Sequence, residues 1–122
     1  MFLGQPVVYD RQDVVRLRQT EANPFTSAIE AKFARLAAQW DAETATESSF
    51  TKQILHPAYQ SILGLGPAAV TPILRSLEQA PNYWFHALRH MTDADPVKPE
   101  DRGNLRAMTD AWLAWGRDEG YL

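Results

Sequence analysis

A chain of 122 residues, 45% of them hydrophobic and 22% charged, has the size and apolar content of one domain with a single core. Its net charge of -3 argues against a nucleic-acid phosphate backbone as the main partner, and the absence of cysteine excludes disulfides, thiolate metal sites and cysteine nucleophiles. No window approaches the ~18 apolar residues of a membrane span, and MFLGQPVVYDRQD at the start lacks a basic leader and a long apolar run, so the expectation is a cytoplasmic protein without a membrane partner.

In chain order, Phe2, Leu3, Val7, Val8 and Tyr9 surround Gly4 and Pro6 and read as an extended arm that docks on the body or on another chain. Asp10 and Asp13 suit a helix start, with Val14 and Leu17 on its apolar edge and Arg11, Arg16 and Arg18 in water. That helix ends near Ala22, because a residue before proline is pushed out of the helical region and Asn23 precedes Pro24. From Thr26 a second helix is predicted, with Phe25, Ile29, Phe33, Leu36 and Trp40 on one side and alanines elsewhere. The following run, DAETATESS, has no apolar face and reads as a frayed end passing into a linker. The expected division is an N-terminal arm over residues 1–47 and a helical body over residues 48–122.

Phe50, Ile54 and Leu55 begin the body as a short helix that His56-Pro57 interrupts, and Pro57 suits the first turn of the next, with Tyr59, Ile62 and Leu63 inward. Gly64 and Gly66 predict a stop and a tight corner. Pro67 then opens a helix carrying Val70, Ile73, Leu74 and Leu77, in which an interior Pro72 should bend the axis. After Pro81-Asn82 the residues Trp84, Phe85, Leu88 and Met91 line another helix. Residues 93–104 read as an ordered loop, in which Asp95 and Asp101 accept backbone amides and Arg102 pairs with an acid. Asn104 caps a last helix with Leu105, Met108, Trp112 and Trp115 as its stripe; Gly116 weakens its final turns, and Gly120 stops it before an apolar plug of Tyr121 and Leu122. The fold class is all-α: a small helical bundle.

LGPAAVTPILRSLEQAPNYWFHALRHM, residues 65–91, resembles a HEAT-type repeat, with a Gly-Pro corner, an Ala-Val-x-Pro helix start and a second helix carrying an Ala-Leu pair. The resemblance implies two antiparallel helices that bury their facing sides and leave a surface for a partner. No second copy is present, so the expectation is one HEAT-like hairpin braced by the C-terminal helix. The wider run from HPAYQ to AWLAWGRDEGYL, about residues 50–122, resembles a family of small bacterial proteins, which implies a bacterial or phage origin and a helical body but no reaction.

Candidate chemistry is sparse. His86 and His90 stand four apart and could offer two imidazoles to a metal, with Asp93, Asp95 or His56 as a third ligand, but Ala87 occupies the position where a metalloprotease helix carries its general base. His56 could cap a helix, bond an acid or serve as a base, and no serine lies in a nucleophile elbow. Gly64-Leu65-Gly66 lacks the spacing and the Lys-Ser/Thr ending of a phosphate loop, and the acids of residues 93–104 lack a calcium-loop rhythm.

The functional expectation is a non-enzymatic protein-protein interaction module of antitoxin, immunity or phage-inhibitor type, with no cofactor. A partner protein or a second copy would be bound through Phe2, Leu3, Val7, Val8, Tyr9, Arg16, Arg18, Phe25 and Trp84. The alternatives are a small metal-dependent hydrolase or nuclease on His86 and His90, and a nucleic-acid-binding accessory using Arg11, Arg16, Arg18 and Arg35.

Overall fold

The computed structural model describes residues 24–122. Among them are six α-helices and no strand: α1 (Pro24–Glu43), α2 (Phe50–Leu55), α3 (Pro57–Leu63), α4 (Val70–Gln79), α5 (Phe85–Thr92) and α6 (Leu105–Asp118). Short 3-10 turns at Gly66–Ala69 and Pro99–Asp101 join them. None of these helices is long and apolar enough to cross a membrane.

Helix α1 packs along α3, and α4 along α6. At the meeting point sits an aromatic nucleus drawn from α1, α3 and the turn before α5. Trp84 lies 4.7 Å from Trp40, 5.4 Å from Tyr59 and 5.4 Å from Phe33, ring centre to ring centre, and all four rings are buried. Ile62, Val70, Ile73, Leu74, Leu77 and Leu88 complete the core around it. Phe33 and Trp40 therefore belong to the same core as the residues after 48.

The polar run after Trp40 is pinned rather than frayed. Helix α1 continues to Glu43, and the Trp40 indole N–H donates to the Gln53 carbonyl at 2.7 Å while the Gln53 side chain donates to the Glu47 carbonyl at 2.6 Å. Ser49 then caps α2 by accepting from the Lys52 amide at 3.3 Å. Polarity had suggested a loose segment; these residues instead satisfy the ends of two helices.

Pro72 also falls elsewhere than its sequence position suggests. Because Pro67 opens a 3-10 turn and α4 starts only at Val70, Pro72 occupies the first helical turn, where an amide has no intrahelical acceptor to lose, so no bend need follow. Gly66 takes a left-handed φ of 71°, the corner its residue type permits.

Gly116 is a contact point instead of a weak one. A β-carbon there would stand 2.7 Å from the terminal Leu74 Cδ1, so a side chain at this position would require Leu74 of α4 to shift. Beyond it Gly120 adopts φ 84°, the Tyr121 and Leu122 amides donate back to the Gly116 carbonyl at 2.8 and 3.2 Å, and Tyr121 stacks on Trp115 at 5.3 Å. Asn104 caps α6 through the Ala107 amide, and Arg102 holds Asp95 at 3.1 Å across the preceding loop.

Candidate functional site

The residues singled out for partner binding divide into three groups. Phe2, Leu3, Val7, Val8, Tyr9, Arg16 and Arg18 lie outside the described residues. Phe25 is 66% exposed in the first turn of α1, at the edge of a groove of about 520 Å³ whose walls include Ile29, Pro67, Ala68, Pro72 and Tyr121. Trp84 needs correction: it is 1% exposed, enclosed by Phe33, Trp40 and Tyr59, and cannot meet a partner without unfolding its surroundings. An indole beside apolar residues at helical spacing reads equally as core or interface in one dimension; packing assigned it to the core.

The surface offers another aromatic pair instead. Phe50 opens α2 and Tyr83 precedes α5; their rings meet edge to face at 6.0 Å, and each is 46% exposed. Tyr83 in turn lies 6.4 Å from Phe85, so the pair stands on the core rather than on a loose loop. Sequence reading placed Phe50 only as the start of a helix and passed over Tyr83. The available signal was a pair of aromatics flanking helix starts, off the apolar lines that fill the core.

The support under Tyr83 comes from the Tyr59 hydroxyl. It donates to the Tyr83 carbonyl at 3.2 Å and accepts from the Ala87 amide at 3.1 Å, serving as the missing cap of α5, whose own cap position, Trp84, has no side-chain oxygen. Burial raises the phenol far above its ordinary titration range, against smaller opposing effects of the Ala87 amide and Arg89, so it stays a neutral donor and acceptor. Tyr59→Phe keeps the ring packing but strands two backbone groups, and is expected to lower stability in urea unfolding by about 1–3 kcal/mol. A change under about 0.5 kcal/mol would show that this hydroxyl is not a cap.

His86 and His90 share α5, and Asp93 ends it in a left-handed conformation with φ 58°. Among the described residues no group of three His, Asp or Glu side chains stands close enough to hold a metal ion. Of the candidate third ligands besides Asp93, Asp95 is paired with Arg102, and His56 is engaged elsewhere: its Nδ1 accepts from the Ala58 amide at 3.0 Å and its Nε2 lies 3.3 Å from a Glu43 oxygen. It caps α3 and ties that corner to the end of α1.

Burial lowers the His86 pKa below its ordinary 6.5, and the charges of Arg89 and His90 push the same way. The fold thus prefers the neutral ring, so His86 contributes stability that is present above pH 6.5 and is lost as pH falls below that value toward the depressed folded-state pKa. Melting temperature followed from pH 7.5 down to about 5 should fall less steeply for His86→Gln than for the parent chain; parallel profiles would contradict this assignment.

No protein-family model, no curated protein and no solved structure matches the chain. What stands on the structure alone is an all-helical small protein with an exposed aromatic pair and a groove of mixed polar and apolar lining.

Proposed function

We propose that this chain is a helical interaction module that binds a partner protein through the Phe50–Tyr83 face and carries out no reaction of its own. The observation that carries it is that pair: two aromatic rings, each 46% exposed, in mutual contact and seated on a packed core. Aromatic side chains present large contact area at small entropic cost and are enriched where proteins meet. The HEAT-like reading fits here too, since α4 and α5 are consecutive helices joined by residues 80–84, with α6 packed against α4 as a brace. Inhibition or immunity is the class of role such a module serves.

A photo-crosslinking side chain placed at Tyr83 in the native host tests this. One protein should be captured from position 83 and not from Arg106, an exposed position on α6, and the purified pair should bind in isolation. Equal capture from both positions, or no binding between the purified components, would reject the assignment.

A further inference from the structure

The two rings of the Phe50–Tyr83 face are bordered by negative charge, one carboxylate beside each. Asn82, the residue before Tyr83, donates through its side-chain amide to Asp41 at 3.1 Å; Ser49, the residue before Phe50, donates through its backbone amide to Glu47 at 2.9 Å. Each acid is thereby anchored one residue away from an exposed ring. In both, a single oxygen accepts that bond, and the other has no partner among the described residues.

Nothing on this side of the protein neutralises them. Among the described residues no lysine or arginine lies within ion-pair distance of Asp41, Glu43 or Glu47, and Glu43 has only the His56 ring at 3.3 Å. Asp41 and Glu43 also occupy the last turn of α1, which holds no basic residue. Carboxylates there meet the negative pole of the helix dipole, which weakens a helix instead of supporting it. Lys52 is the basic residue of α2; it makes no ion pair among the described residues, and at two positions from Phe50 it leaves the helix on a different side. Half-exposed aromatic rings with uncompensated carboxylates around them disfavour a polyanion, and disfavour a second copy whose own acids would stand opposite. They suit a cation on an apolar stem. A guanidinium does so best, because it stacks on an aromatic ring while its N–H groups reach carboxylate oxygens.

We propose that the partner seated on Phe50 and Tyr83 presents a basic segment, in which an arginine lies on these rings under the attraction of Asp41 and Glu47. This rests on the reading of the Phe50–Tyr83 face as the binding surface and adds to it the sign and type of the partner's charge.

The probes are three capped five-residue peptides in which leucine alternates with arginine, with citrulline or with glutamate. Citrulline keeps the length and planar end of arginine without its charge. Each is titrated into the full chain at low salt, with the Phe50 and Tyr83 ring resonances as the readout. The arginine peptide should shift both rings saturably and bind at least about fivefold more tightly than the citrulline peptide, and the glutamate peptide should give no saturable shift. Raising the ionic strength from about 20 to about 300 mM should reduce that preference. Asp41→Asn and Glu47→Gln keep the acceptor oxygens that hold Asn82 and Ser49, so the pair of substitutions should remove most of the preference and leave the melting temperature in place. Asp110→Asn, in the ion pair with Arg106 on α6, should leave the preference unchanged.

Equal affinity for the arginine and citrulline peptides, with both rings still shifted, would overturn the inference and leave the face standing as a binding surface. The absence of any saturable shift at the two rings would overturn it as well, while the face itself is judged by crosslinking from position 83. A dimer of the full chain in light scattering that dissociates in Tyr83→Glu would assign the face to a second copy and likewise overturn it.

Discussion

Trp84→Ala is expected to destabilise the fold by about 4 kcal/mol, within the range of 3–5 kcal/mol for truncating a buried tryptophan. The physical reason is its position. The ring touches Trp40 and Phe33 from α1 and Tyr59 from α3, so its loss opens a cavity bounded by three aromatic neighbours and removes their contacts with it. Tyr83→Ala, one residue earlier and 46% exposed, is expected to cost less than about 1 kcal/mol. Urea unfolding of the two variants side by side separates a core role from a surface one. Equal effects would mean that the nucleus around Trp84 does not hold the helices together.

A chain beginning at Ser48 should fail to unfold cooperatively. It lacks Phe33 and Trp40, both of which face the nucleus, and also the Trp40 indole bond that fixes the Gln53 carbonyl at 2.7 Å. Losing two buried aromatic residues at once removes on the order of 5 kcal/mol or more, comparable with the whole stability of an ordinary domain. A chain beginning at Pro24 retains both rings and the Glu30–Arg75 ion pair at 3.3 Å, and should melt as a single transition. Calorimetry on the two chains is the direct comparison; a sharp, two-state melt for the chain from Ser48 would show that α1 is an accessory to a body that folds by itself.

Periodic and punctuating residues were the readable part of this fold. Val70, Ile73, Leu74 and Leu77 at helical spacing, Pro57 at a helix start, Asn104 as a cap and Gly120 as a stop all state local preferences, and the structure uses each accordingly. What composition could not convey was which aromatic rings meet. Trp84 and Tyr83 are neighbours with similar side chains, yet one is buried by three rings and the other half-exposed, and that difference arises only when α1 closes over the turn before α5. The same holds for Gly116, whose role depends on Leu74 in another helix, and for His56, whose partner Glu43 ends α1. Long-range pairings of this kind leave no periodic mark in the sequence.

The candidate site follows the same division. His86 and His90 were visible as a pair because their spacing is local, whereas the absence of a converging third ligand among the described residues is a matter of tertiary placement. Phe50 and Tyr83 lie far apart in sequence and become one feature only through the Tyr59 hydroxyl and the packing of α2 beside α3.

The central claim, that this scaffold works through an exposed aromatic surface, is tested most directly by calorimetric titration of the protein captured from position 83. The parent chain and a Phe50→Glu, Tyr83→Glu double variant are to be compared at matched melting temperature. The account predicts at least a tenfold loss of affinity in the variant, as expected when charge replaces apolar contact at the centre of an interface. Undiminished affinity in a folded variant would contradict it.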